Sequence, residues 1–236
     1  MDAVTMKVLI IIPAYNEAGN IKRVVEELTA MYPQYDYVVV NDGSADGTPK
    51  ICRDNGFNLI SLPINLGLSG AFRTGAKFAF RSGYDCALQY DGDGQHDPRF
   101  IRSMVEAMER EHADIVIGSR FVNAHKKFTA RMAGNSIISA FIRMTTGAVI
   151  RDSTSGMRLY SRRILQWFAQ YINYDPEPDT IAYLIRCGAK VEEIPVEMRE
   201  RIAGESYFHI GSIIKYMMRV CSSILFMQWF RQRKQL

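Results

Sequence analysis

Residues 88 to 98 read LQYDGDGQHDP, a short apolar run followed by three aspartates, a glutamine and a histidine. Asp91 and Asp93 stand one residue apart, each with a glycine after it. On a tight turn such a D-x-D pair presents carboxylate oxygens to a hard divalent cation, and Gln95 adds a neutral oxygen two residues on. Magnesium or manganese bound by few protein groups completes its shell with water and phosphate oxygens. An ion so placed stabilises the charge that grows on a departing diphosphate. Glycine at 92 and 94 permits the backbone angles of the turn. Alone, the pair reads by default as solvated turn aspartates, so its setting has to decide.

That setting is an alternation of strands and helices. KVLIIIP is a continuous β-branched run of the kind buried on both faces of a sheet. Ile21, Val24, Val25 and Leu28 follow at helical spacing, and YDYVVV reads as a second strand, with Thr48 placed to cap the helix after it. FNLISLP is a third strand, Ser69 to Arg81 a helix, and DCALQY the strand that delivers the aspartates. Pro98 opens a helix with Phe100, Ile101, Met104, Val105 and Met108 on its inner face, and ADIVIGSR is a further strand. The pattern predicts a mostly parallel sheet covered by helices on both faces. Ligands of such sheets bind beyond the carboxyl ends of the strands. Four polar clusters fall there: PAYNE, NDGS, DGDGQ and GSR. Beyond about residue 125 helices dominate, with one more strand-like piece in AKVEEIPVEMRER.

Within those clusters, Asp42 can accept hydrogen bonds from a base or ribose, or close an Asx-turn. Glu17 suits the first turn of a helix. There is no G-x-G-x-x-G after a strand and no G-x-x-x-x-G-K-[ST], so dinucleotide and P-loop chemistry lack their loops. No G-x-S-x-G supplies a hydrolase nucleophile.

With 236 residues, 47% hydrophobic and 23% charged, the chain fits one globular domain. A net charge of +4 with no arginine-rich, aromatic-interleaved patch argues against nucleic acid. Four dispersed cysteines read as reduced packing residues. The N-terminal residues do not form a signal peptide. From His209 onward the sequence is apolar but interrupted by Lys215 and Arg219, and Trp229 and Phe230 run into RQRK. The uncharged stretch is too short to span a bilayer. It suits an interface with anionic headgroups, an oligomer contact or a core helix. The organisation expected is an α/β domain over 1–208 and an amphipathic helix with a basic tail over 209–236, peripheral to the cytoplasmic side of a membrane.

IIPAYNE, VVVNDGSADGT, NLGLSGAFRTG, YDGDGQHDP, GSRF and DSTSGMRLY, in that order, resemble the family 2 glycosyltransferases, and within them the polyprenol-phosphate sugar transferases. The resemblance covers roughly residues 7 to 206. It implies a GT-A (Rossmann-like) fold, a UDP- or GDP-hexose donor, Mg²⁺ or Mn²⁺, inversion at the anomeric carbon and a sugar-phosphate-lipid product. By the same resemblance Pro13, Tyr15, Glu17 and Asp42 hold the nucleoside, Asp91 lies near ribose and diphosphate, and Asp93 and Gln95 ligate the metal, with Asp91 beside them. RERIAGESYF resembles the R-x-x-G-x-S loop, giving Arg201, Gly204 and Ser206 a place over the diphosphate. Two departures bear on donor details and sugar choice: Tyr207 and Leu68 stand where relatives often carry lysine.

A phosphate monoester acceptor is already anionic near neutral pH and needs no strong base. Catalysis then rests on alignment and on stabilising the leaving diphosphate, work suited to arginine forks. Arg120, Arg131 and Ser136 are the acceptor-phosphate candidates. In relatives with a hydroxyl acceptor an aspartate near Asp152 is the base; in this chain Asp152 has the alternative of orienting Arg158 or the acceptor loop, or of capping a helix. A sugar-hydroxyl acceptor therefore stays open, as do a nucleotidyltransferase and a non-catalytic nucleotide-sugar binder. The acidic PAYNEAGN in place of a glycine-rich basic loop disfavours the nucleotidyltransferase, and the intact Asp91–Asp93–Gln95 set disfavours the binder.

Overall fold

The structure, a computed structural model, describes residues 6–121, 130–171, 174–199, 210–227 and 230. β1 (Val8–Ala14), β2 (Asp36–Asn41) and β3 (Leu59–Ser61) alternate with α1 (Ile21–Met31) and α2 (Thr48–Asp54). α3 (Gly67–Arg81) leads into β4 (Cys86–Gln89), and α4 (Ile101–Glu111) into β5 (Ile115–Ser119). Then come α5 (Ala130–Thr146), β6 (Arg158–Ser161), α6 (Arg162–Gln170), α7 (Pro178–Arg186), β7 (Val191–Pro195) and α8 (Ile210–Ser222). α8 runs on into a wider π-type turn over Ser223–Met227.

One seven-stranded sheet has the order β3-β2-β1-β4-β6-β5-β7. All neighbours pair parallel except β6, which runs antiparallel between β4 and β5. The carboxyl ends of β1, β2, β4 and β5 therefore share one rim. Every residue of β1 is buried, because its alternate side chains feed two cores. Leu9 and Ile11 pack with Phe72, Tyr160, Ile164 and Leu184 under α3, α6 and α7. Val8, Ile10 and Ile12 pack with Val25, Leu28, Ile101 and Met104 under α1 and α4. At roughly 25 cal/mol per Å² of apolar area, this two-sided burial is the main stabilisation of the rim.

Two local expectations need correction. β3 is only three residues long, a half-exposed edge paired to β2. Thr48 does not cap α2 with its side chain; its N–H and Oγ1 both donate to Asp46 Oδ1, at 2.9 and 2.5 Å. Cys52 and Cys86 are buried and Cys187 and Cys221 partly so, all free thiols.

α8 packs on α5 and α7. Val220 and Ile224 enter the core shared with Ile138, Ile142 and Ile181. Arg219 pairs with Glu177, and the Ser223 hydroxyl donates to Asp179 Oδ2 at 2.6 Å. The opposite side of this segment leaves Met218, Phe226 and Phe230 exposed. Among the described residues no helix is long and apolar enough to cross a membrane.

Candidate active site

β1 and β2 end in loops that lock each other. Asn16, at φ 55°, donates its N–H to Ser44 Oγ and accepts the Ala45 N–H on Oδ1, both at 2.9 Å. The Glu17 N–H donates to Thr48 Oγ1, and the Ala18 N–H to Asp46 Oδ2. Burial pushes the Asp46 carboxyl up, but the hydroxyl and N–H groups pointed at it outweigh this and hold it below its ordinary range. Glu17 Oε2 accepts from Asn20 Nδ2 at the start of α1. Pro13 is buried, and Tyr15 stands 38% exposed on the rim. Asp42 is buried, its N–H given to the Ala14 carbonyl. Its Oδ1 accepts the Leu66 N–H at 2.7 Å, which ties the loop before α3 to the β2 end. Asn16, Ser44, Asp46 and Thr48 make this platform without standing out in the sequence, because ordinary turn residues reveal a partner about 30 positions away only once the strands are adjacent.

The aspartate turn projects from β4 against that platform. The Tyr90 N–H donates to the Ile11 carbonyl and the Gly92 N–H to the Pro13 carbonyl. Asp93 Oδ1 accepts the Gln95 N–H at 2.9 Å, closing an Asx-turn. Gly94 has φ 77°, and a Cβ there would lie 2.3 Å from Arg23 Nη2. The backbone conformation therefore favours glycine, and a side chain there would also displace the Arg23 guanidinium. His96 is buried and turned inward: its Nδ1 accepts the Asp91 N–H at 3.0 Å, and its Nε2 faces Asp91 Oδ2 at 3.6 Å. In the neutral ring the proton then sits on Nε2, toward Asp91. Both nitrogens serve the turn, which leaves Asp91, Asp93 and Gln95 as the hard-oxygen set.

Among the described residues no group of three or more His, Cys, Asp or Glu side chains forms a ready cage. An all-oxygen set of two carboxylates and an amide still fits Mg²⁺ or Mn²⁺, which dehydrates reluctantly and takes much of its shell from water and phosphate. Asp91 keeps a partly exposed carboxylate, met at long range by Gln89 Nε2 at 3.5 Å and His96 Nε2 at 3.6 Å.

The third component comes from the β5 end and the loop before β6. Asp152 is fully buried and its two oxygens face Arg120. Arg120 donates from its backbone N and from Nε to Oδ2, at 2.9 and 2.7 Å, and from Nη2 to Oδ1 at 2.7 Å. Nη2 also reaches Thr154 Oγ1 at 3.0 Å, so Nη1 is the nitrogen left without a bond among the described residues. Asp152 orients Arg120, not Arg158, whose guanidinium instead donates to the Ser153 and Pro176 carbonyls. The same loop reaches the aspartate turn, since a Cβ on Gly156 would lie 2.8 Å from Asp91 Oδ2.

Glu193 and Asn135 complete the support. Both oxygens of Glu193 on β7 accept backbone N–H groups, of Arg151 and Asp152, at 2.7 Å each. Asn135 on α5 donates to the Arg151 carbonyl and accepts from Ser153 and Thr154. Ser136, its neighbour, is exposed and donates its hydroxyl to the Met132 carbonyl within the helix. The Arg131 side chain and Arg201, Gly204 and Ser206 lie outside the described residues.

A mostly parallel sheet with polar loops and an acidic turn gathered at one rim is the arrangement of a GT-A-like fold. The chain belongs to glycosyl transferase family 2, whose model matches residues 9–168, and it is a glycosyltransferase. Undecaprenyl-phosphate mannosyltransferase of Micrococcus luteus is 30% identical over 98% of this chain and 99% of its own. Polyprenol monophosphomannose synthase of Mycolicibacterium smegmatis is 28% identical over 92% of this chain and 86% of its own. Glucosyl-3-phosphoglycerate synthase of Mycobacterium tuberculosis, crystallised with Mn²⁺, UDP and glucosyl-3-phosphoglycerate, superposes with a TM-score of 0.68 at 16% identity. That match covers 93% of this chain and 80% of the other, and shows the fold.

Proposed function

We propose that the protein transfers a hexose from a nucleoside-diphosphate sugar to a polyprenyl phosphate, with inversion at the anomeric carbon. The observation that carries the acceptor is the state of Asp152. A sugar-hydroxyl acceptor needs a base to take its proton. The aspartate in this region is fully buried and engaged by Arg120 at both oxygens. A phosphate monoester already carries its nucleophilic charge, and the named relatives at 28–30% identity are polyprenyl-phosphate enzymes.

In this reading Pro13, Tyr15, Glu17 and Asp42 form the nucleoside platform, and Asp91, Asp93 and Gln95 hold Mg²⁺ or Mn²⁺. The ion, when bound, neutralises the diphosphate and so makes it a better leaving group. Arg120 offers its free Nη1 edge to a phosphate while the Asp152 fork fixes its plane. Arg131 and Ser136 are the further acceptor-side residues, and Arg201 and Ser206 the donor-side ones. A phosphate oxygen forms the new bond to the anomeric carbon as the bond to the diphosphate breaks, and the electron pair leaves with the nucleoside diphosphate.

Purified protein, short-chain polyprenyl phosphate and labelled UDP- and GDP-sugars test this directly. Label is expected in the organic phase from one donor, and EDTA abolishes it. Transfer only to a sugar hydroxyl, or to water, overturns the acceptor.

A lipid acceptor places the enzyme at a membrane surface, and charge supports that placement. Neither 115–151 nor 206–236 contains a single aspartate or glutamate, although the chain has 25 acidic residues. α5 and α8, which lie in these stretches, pack together, and Phe226 and Phe230 project 63% and 84% exposed from the segment after α8. Basic residues next to exposed aromatics in the sequence suit anionic headgroups. The protein is expected to sediment with phosphatidylglycerol vesicles and far less with phosphatidylcholine. Raised salt weakens binding, and Phe226→Ser with Phe230→Ser weakens it about tenfold or more. A salt-insensitive dimer that ignores vesicles assigns this face to self-association instead.

A further inference from the structure

The aspartate turn is gripped from outside by residues that touch neither donor nor acceptor in the reading above. After β7 the chain crosses beneath the turn. His96 and Met198 form an isolated antiparallel bridge, and the Arg199 N–H donates to the Gln95 carbonyl at 2.8 Å. The Arg199 guanidinium then bonds to two carboxylates on different elements. Nη1 donates to Glu27 Oε1 of α1 at 2.7 Å, and Nη2 to Asp97 Oδ1 at 3.1 Å. Asp97 is 1% exposed and is also forked by Arg99, through Nε at 2.9 Å and Nη2 at 2.6 Å.

Glu27 carries the grip onward. Its Oε2 lies 3.9 Å from Arg23 Nη1, and Arg23 Nη2 is a buried donor without a partner among the described residues, lying over Gly94. One helix and one extended segment thus meet the turn at Gly94, at the Gln95 carbonyl and at Asp97, within and just after the residues that would bind metal. Tyr90 adds a bond from below, its hydroxyl donating to the His96 carbonyl at 2.8 Å.

We propose that Arg199 is a positioning residue for the metal-bearing turn and that Glu27 is its anchor on α1, so that the two set how well Asp93 and Gln95 are presented to a divalent cation. The clamp itself is independent of the donor reading; its consequence for metal use rests on that reading. A turn built from short side chains and two glycines has little packing of its own, and each glycine adds conformational freedom that must be removed from outside. Arginine suits the task because its planar fork binds two acceptors at once. Lysine, with a single charged point, satisfies one of the two.

The test uses the full-length protein with Arg199→Ala, Arg199→Lys and Glu27→Gln. Hydrogen exchange is followed in a peptide spanning 90–97, with peptides from β1 and β4 as folding controls. Arg199→Ala is expected to speed exchange in 90–97 by about tenfold or more, the loss of charge-assisted bonds, with the controls unchanged. Glu27→Gln and Arg199→Lys fall between it and the wild type. In the transfer assay the Mn²⁺ concentration for half-maximal rate rises about tenfold in Arg199→Ala, while the rate at saturating Mn²⁺ changes less. Unchanged exchange in 90–97 overturns the clamp. A loosened turn with an unaltered Mn²⁺ requirement overturns the positioning role. Absence of Mn²⁺-dependent transfer in the wild type removes the donor reading, and the exchange result then decides the clamp alone.

Discussion

Asp93→Asn lowers metal-dependent transfer at least about 100-fold while leaving the melting temperature nearly unchanged. In the proposed reading the two effects separate because Asp93 would serve the turn and the cation through different properties. Its Oδ1 accepts the Gln95 N–H, and an asparagine oxygen accepts the same bond. What asparagine lacks is the charge that a divalent ion bound by few protein groups depends on. Asp93→Ala removes the bond as well and is expected to lose activity together with turn order. The measurement is initial rate against Mn²⁺ and Mg²⁺ concentration, beside thermal unfolding of each variant. Full EDTA-sensitive turnover in Asp93→Asn would show that the metal is held elsewhere.

Much of the rim's layout is legible from local signals. The apolar run of β1 is followed by P-A-Y-N-E and that of β4 by the aspartates. Parallel pairing puts both on one rim because βαβ order leaves little choice. What stays hidden depends on contacts between distant residues. β6 is four residues, Arg158–Ser161, with no alternation to announce it. It exists because Leu159 lies between Leu88 and Val116 and completes the buried middle of the sheet. Its antiparallel course lets the 152–157 loop reach the rim. Asp152 and Arg120 stand 32 residues apart, and nothing local distinguishes Arg120 from Arg158 as the partner.

The strand at the opposite edge was legible as a strand but not as a support. Glu193 and Arg199 look like ordinary surface charges in VEEIPVEMRER. Glu193 binds the backbone of the Asp152 loop, and six residues later Arg199 binds the aspartate turn. Between them Val196 packs on Gly118, where a Cβ would come within 2.9 Å of the valine. One continuous segment thus supports the Asp152 loop and the aspartate turn together, and R-x-x-G-x-S begins two residues after Arg199. The positions of these residues relative to the rim, and not their types, give them this role.

Arg120 and Asp152 allow stability and chemistry to be separated. Arg120→Ala leaves a carboxylate with no exposure and no ion-pair partner, which costs on the order of 3–5 kcal/mol. Loss of transfer in that variant therefore proves little alone. Replacing both residues, as Arg120→Met with Asp152→Asn, removes the orphaned charge, fills similar volume and keeps an oxygen for the residue 120 N–H. Such exchanges of buried pairs are often neutral or stabilising, so the double variant is expected to melt close to the wild type. Transfer is expected to remain at least about 100-fold down, because no planar fork is left to meet the acceptor phosphate. Arg120→Lys keeps the charge and part of the stability but offers a single point, and its rate falls between the two. If the double variant recovers transfer together with its melting temperature, the pair is scaffolding and the acceptor phosphate is bound by other residues.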